Sequence, residues 1–139
     1  MKKLKLLGLA VLAFDFASPA MAGVSISVSE SMQTMTVDAP GVHYVWPVST
    51  AGEGYVTPTG VYGVERMAQM WYSKKYDNSP MPHSIFFRGG YAIHGTEYVK
   101  KLGTPASHGC VRLHPQNAAI LYDLVTKEGP ANTAIDIEN

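Results

Sequence analysis

A single cysteine in 139 residues excludes a fold stapled by internal disulfides, because Cys110 has no partner within the chain. Charge is scarce as well: 11 basic side chains balance 11 acidic ones, and charged residues make up only 16% of the chain. Such a balance gives no electrostatic case for nucleic acid or for an anionic membrane surface as a partner. The N-terminal apolar run, Leu6 to Phe14, is too short to cross a bilayer. No internal repeat, charge block or low-complexity linker interrupts the chain after it.

What stands at the N-terminus reads as an address. Lys2, Lys3 and Lys5 precede the apolar run, and Ala20-Met21-Ala22 is a small-residue cleavage site, although Asp15 is unusual so close to such a run. The expectation is a signal peptide over residues 1–22 and one domain over 23–139, exported, with no stable membrane insertion after cleavage. No cysteine near the cleavage site offers a lipid attachment point. Residues 23–139 hold 8 basic and 10 acidic side chains, so an anionic ligand must be met by a few placed cations.

Polar–apolar alternation predicts strands at 25–29, 32–37, 42–48 and 61–64. A hairpin is expected from Ile85 to His94 across Gly89-Gly90, with a closing strand at 135–137. Pro115 suits the first position of a helix, Ala118, Ile120, Leu121, Leu124 and Val125 give it an apolar face, and Gly129-Pro130 ends it. The fold class is mainly β, with one well-defined helix starting five residues after the cysteine. The segment 67–83 reads either as a lid carrying Trp71 and Tyr72 or as packing plus a loop.

Chemistry concentrates around Ser107-His108-Gly109-Cys110-Val111-Arg112, with a second histidine in Ile93-His94-Gly95. A thiol nucleophile needs a base within reach and donors for an oxyanion; His94 and His108 are candidate bases, and N–H groups around Gly109 candidate donors. An ordinary cysteine is only a few per cent thiolate at pH 7, so surroundings that lower the Cys110 pKa are expected. Arg112 is suited to a substrate carboxylate or to bracing the loop, and Ser107 to steering the loop backbone. Lys100 and Lys101 read as solvated charges, and His43, His83 and His114 as structural or surface residues. A zinc site from His94, His108, Cys110 and His114 has acceptable ligand types, but H-G-C lacks a usual ligand spacing. No metal or cofactor is expected.

Ile93-His94-Gly95, Leu102-Gly103-Thr104-Pro105-Ala106 and Ser107-His108-Gly109-Cys110-Val111-Arg112-Leu113 resemble the L,D-transpeptidases of the YkuD type. Val48-Ser49-Thr50, Thr57-Pro58-Thr59-Gly60 and Met81-Pro82 add weaker support, so the resemblance spans about residues 24 to 137. It implies a β-sandwich-like mixed-sheet catalytic domain acting on peptidoglycan stem tetrapeptides. Cys110 would be the nucleophile and His94 the base, oriented by the Gly95 carbonyl. His108 and Gly109 would shape the loop, and N–H groups near Gly109 and Cys110 would form the oxyanion hole. Ser107, Gly95, Arg112, Trp71 and Tyr72 are the candidate substrate contacts. Many members have Asn at the place of Arg112, and arginine is a variant in Gram-negative relatives, so the expected compartment is a Gram-negative periplasm. The resemblance leaves the acceptor open between a wall amine, an amine of an envelope protein, and water (which would make a carboxypeptidase). A catalytically inactive wall-binding relative and an unrelated exported thiol protease are the competing readings; intact His94 and Cys110 oppose the first and the loop sequence the second.

Overall fold

The computed structural model describes residues 23–139, together with Lys3, Gly8 and Ala10. The expected signal peptide therefore lies outside the described residues. From Val24 onward, alternation becomes strand much as the sequence predicts. Strands β1 (Val24–Ser29), β2 (Thr34–Ala39) and β3 (Val42–Pro47) form an antiparallel series. The C-terminal strand β9 (Thr133–Glu138) runs parallel to β1, and β4 (Gly60–Tyr62) pairs antiparallel with β9, giving the order β3-β2-β1-β9-β4. Register places Ile26 opposite Val37 on one side and Ile135 on the other, so one face of this sheet is continuously apolar.

The second sheet has the order β5-β6-β7-β8, from β5 (Arg66–Ser73), β6 (Ser79–Arg88), β7 (Tyr91–Gly95) and β8 (Val111–Leu113). The turn between β6 and β7 falls at Gly89-Gly90 as expected. Segment 67–83 is neither a loop nor a separate packing unit: β5 and β6 pair along their length as a hairpin. At its tip the Ser79 N–H donates to the Tyr76 carbonyl across Asp77 and Asn78, which both take positive φ, the geometry of a type I′ turn. Pro80 and Pro82 obscure the first half of β6 in the sequence, and β5 lacks a clean apolar face.

The helix α1 (Pro115–Glu128) matches its prediction. His114 caps it, its Nδ1 accepting from the Gln116 N–H at 3.2 Å, and Gly129 ends it at φ +103. Ala118, Leu121 and Val125 are the buried positions. Ile120, expected on the apolar face, is 41% exposed, because at 100° per residue it lies on the far side of that stripe. The core unites both sheets and the helix: Val28, Met35, Val37 and Ile135 from the first sheet, Ile85, Phe87, Ile93 and Leu113 from the second, and Leu121 and Val125 from α1. Phe86 and Ala92 point the other way and cluster with Met81, and Cys110 packs against them. That second face of β6 and β7 is where the site lies.

Candidate active site

His94 follows from strand geometry. Ile93 faces the main core, so its neighbour His94 projects to the opposite face of β7, on the side of Ala92. His94 is 6% exposed, and its Nδ1 lies 2.7 Å from the Gly95 carbonyl. A carbonyl only accepts, so Nδ1 carries the proton and Nε2 is the acceptor nitrogen of the neutral ring. Burial is the main force on its titration: it lowers the pKa from 6.5 to about 4, with the Gly95 bond opposing and the Arg112 charge assisting. His94 is thus a neutral imidazole across the physiological range.

Cys110 sits on the loop leading into β8, which runs parallel to β7 with His94 opposite Arg112. The loop is built from its own side chains. The Ser107 hydroxyl donates to the Cys110 carbonyl at 2.5 Å and accepts from the Gly109 N–H at 3.0 Å. The Gly109 carbonyl in turn accepts from Thr57 Oγ1 at 2.8 Å. Gly109 has φ +133, and a Cβ there would come within 2.5 Å of Tyr91 Cε1 and 2.9 Å of the Val56 carbonyl oxygen. Only glycine fits.

Beneath the loop runs a brace whose parts the sequence showed only as scattered fragments. Ser49 exchanges both backbone hydrogen bonds with Arg112, and the N–H groups of Ala106 and Ser107 donate to the Thr50 carbonyl. The Gln33 side chain closes this layer: Nε2 donates to Thr50 Oγ1 at 2.6 Å and Oε1 accepts from the Thr50 N–H at 2.9 Å. Gln33, Ser49, Thr50, Thr57 and Ser107 are all buried. Their hydrogen bonds explain why polar residues occupy the interior here.

Cys110 and His94 line one cavity of about 460 Å³, together with His108, Arg112, Trp71 and Tyr98. Cys110 is half-buried, and its sulfur lies 3.8 Å from the Gly90 carbonyl. Burial pushes the thiol pKa up, while the Ala92 backbone N–H and the Arg112 charge pull it down. The expected lowering of the thiol pKa is therefore reversed in direction: desolvation outweighs the nearby positive groups. Arg112 is itself pushed down by burial and held by its Nη1 on the Ala106 carbonyl at 3.2 Å.

The other sequence candidates divide. His108 is exposed and clasped between rings, with centroids 4.7 Å from Tyr55 and 4.0 Å from Tyr76, so the hairpin tip touches the Cys110 loop through it. Trp71 lines the cavity edge-on to Phe86 at 5.6 Å; Tyr72, its neighbour on β5, does not line it. Ser107 and Gly95, named as substrate contacts, do not reach the cavity: both are buried, one bonded within the loop and the other to the His94 ring. The Gly109 N–H, named as an oxyanion donor, is already committed to Ser107. Arg66, Tyr76 and Tyr98 carry no local sequence signal of a role here, and Gln33 and Thr57 read only as a strand residue and part of a turn motif, because each lies far in sequence from the loop it serves. His43, His83 and His114 lie outside the cavity, beside Asp38, against Tyr122 and at the helix cap respectively. Among the described residues no three His, Cys, Asp or Glu side chains gather as a metal-ligand set.

Residues 23–134 match the family model described as the YkuD L,D-transpeptidase catalytic domain. An L,D-transpeptidase from Mycobacterium smegmatis superposes with a TM-score of 0.75 at 22% identity, over 85% of this chain and 59% of that one. An L,D-transpeptidase from Stackebrandtia nassauensis gives a TM-score of 0.71 at 26% identity, over 91% of this chain and 60% of that one. L,D-transpeptidase 3 from Mycobacterium tuberculosis, solved with a faropenem-derived adduct, gives 0.72 at 20% identity, over 84% of this chain and 60% of that one. The chain thus spans about three fifths of the length of the structures it matches. No curated protein gives a significant match.

Proposed function

Because the chain belongs to the YkuD L,D-transpeptidase family, we propose that it transfers peptidoglycan stem-peptide acyl groups to an amine through a thioester on Cys110. The observation that carries this reading is that Cys110 shares one cavity with His94, whose proton-accepting nitrogen is set by the Gly95 carbonyl. Thiol and imidazole both rest neutral, since burial raises the one pKa and lowers the other. Proton transfer therefore accompanies attack.

Cys110 Sγ forms a bond to the carbonyl carbon at the L-centre of the diamino-acid residue in a tetrapeptide stem, and its proton passes to His94. The oxyanion is met by the N–H of Cys110, since that of Gly109 is engaged. The intermediate collapses, the C–N bond to the terminal D-alanine breaks, and His94 returns the proton to the leaving amine. An acceptor amine then attacks the thioester and gives its proton to His94; the C–S bond breaks, and that proton restores the thiol. Arg112 stabilises the sulfur's negative charge in both steps, and the raised thiol pKa means that this help is needed only while charge develops. Ser107, Gly109 and Gly95 serve as positioning residues. His108, held between Tyr55 and Tyr76, orients the loop and the hairpin tip.

The N-terminal pattern supports export, with the periplasm as the compartment where such stems are met. The test is incubation of the purified protein with a tetrapeptide stem and an amine acceptor, read by mass spectrometry. D-alanine release with a new amide on the acceptor supports the reading; release with no transfer product makes the protein a carboxypeptidase; neither product refutes it. A carbapenem offers a second test, as its strained carbonyl is an acyl donor for the same sulfur. A single adduct on the Cys110 peptide is expected, and no adduct on the reduced, folded protein counts against the site.

A further inference from the structure

Residues 23–139 contain eight cationic side chains and ten carboxylates, yet four of the cations line the one cavity that holds Cys110. These are Arg66, Lys74, Lys75 and Arg112, and they face Glu97 as the sole carboxylate in the lining. Composition does not account for that excess. Among the described residues none of the four lies within ion-pair distance of a carboxylate, the one such contact being His43 with Asp38. Three of them stand on the β5–β6 hairpin and its tip, an element separate in sequence from the loop that carries Cys110.

Arg66 is the most closely held of the three. Its guanidinium carbon lies 3.5 Å from the centroid of the Phe86 ring and 4.7 Å from that of Trp71. Stacking on an aromatic face fixes the plane of a guanidinium and leaves its N–H edge free to donate within that plane. Phe86 is buried in the small cluster against which Cys110 packs, so this platform and the nucleophile share one support. A carboxylate offers such a fork two equivalent acceptor oxygens. A carboxamide offers one, and turns N–H donors toward the guanidinium.

Resting on the acyl-transfer reading above, we propose that Arg66, assisted by Lys74 and Lys75, selects donor stems by their free carboxylates and discriminates against stems whose carboxyl groups are amidated. On this reading the hairpin's cations read the substrate's charge.

The experiment uses two synthetic tetrapeptide stems that differ only in a free or amidated side carboxyl, with one fixed amine acceptor. The readout is kcat/KM for D-alanine release by the wild type, Arg66→Gln, Arg66→Lys and the double variant Lys74→Gln/Lys75→Gln. Alkylation of Cys110 by neutral iodoacetamide in each protein reports that fold and thiol survive. The wild type should prefer the free acid by about ten- to hundred-fold, the range expected for one lost charge-assisted pair. Most of that preference should lie in KM. Arg66→Gln should reduce it to within about threefold, Arg66→Lys should fall between, and the double variant should weaken it and its sensitivity to salt. Equal turnover of both stems by the wild type overturns the proposal and leaves the acyl-transfer reading standing. An unchanged preference in Arg66→Gln overturns it too. Turnover of neither stem overturns both.

Discussion

Between the two sheets the buried groups are Val28, Met35, Val37, Leu121 and Ile135, and they cluster with other apolar side chains. Beneath the Cys110 loop the buried groups are Gln33, Ser49, Thr50, Thr57 and Ser107, joined to one another and to the loop by hydrogen bonds. The first region gains from burial without regard to direction, and a lost methyl costs in proportion to the space it leaves. The second is directional: removing one partner leaves another buried polar group unpaired and releases a loop that holds the sulfur. Stability should therefore reside mainly in the sandwich, and alignment of the thiol mainly in the brace.

Leu121→Ala should give the largest effect on stability. This fully buried helix residue is expected to cost about 2–5 kcal/mol in chemical denaturation. The acylation rate of the folded protein should stay within about twofold of wild type. A large drop in that rate would mean that core and loop are not separable.

His94 links stability to pH. Its native pKa of about 4, against an ordinary 6.5, means that the unfolded chain binds an extra proton between those values. Stability should accordingly fall as pH drops from about 6.5 to 4, by about 3 kcal/mol in all. His94→Asn should remove that dependence, and denaturation midpoints across this range measure it. In the same variant acylation should be strongly reduced near pH 7 and recover partly at alkaline pH, where the thiol ionises unaided.

Ser107→Ala should reverse the balance seen in Leu121→Ala. It leaves the buried Gly109 N–H without its acceptor, at a cost of about 1–3 kcal/mol. Acylation should slow by more than about tenfold, because the Cys110 carbonyl loses its anchor. Comparing the two variants by carbapenem acylation at matched folded fractions sharpens the contrast directly. The smallest effect is expected for Tyr76→Ala, which releases the hairpin tip from His108. Stability should change by less than about 1 kcal/mol, with KM for a stem peptide rising several-fold and kcat nearly unchanged.

The regions differed just as much in how far the sequence disclosed them. Alternation in 25–29 and 135–137 placed β1 and β9 within a residue or two, and Pro115 with Gly129-Pro130 bounded α1, because these signals are local. The parallel pairing of β1 with β9 joins distant segments, and no local pattern encodes it. His94, Gly109 and Cys110 were legible as residue types suited to thiol chemistry. The brace was not, since Gln33 reads as a strand residue and Thr57 as part of a turn until the fold brings them under the loop. The direction of the thiol pKa was misread for a related reason: sequence displays positive neighbours but not the desolvation that outweighs them. Hairpin β5–β6 stayed hidden behind its prolines and its exposed faces, although it supplies Arg66, Trp71 and Tyr76 to the cavity.

The proposed reaction passes through a thioester on Cys110 formed with His94 as proton acceptor. Intact-mass measurement of the protein incubated with a tetrapeptide donor, without acceptor and quenched in acid, tests it most directly. A mass increase equal to the donor less D-alanine is expected, mapped to the peptide containing Cys110, absent from Cys110→Ala, and discharged when an amine is added. An adduct on a serine, or D-alanine release by a folded Cys110→Ala protein, would contradict it.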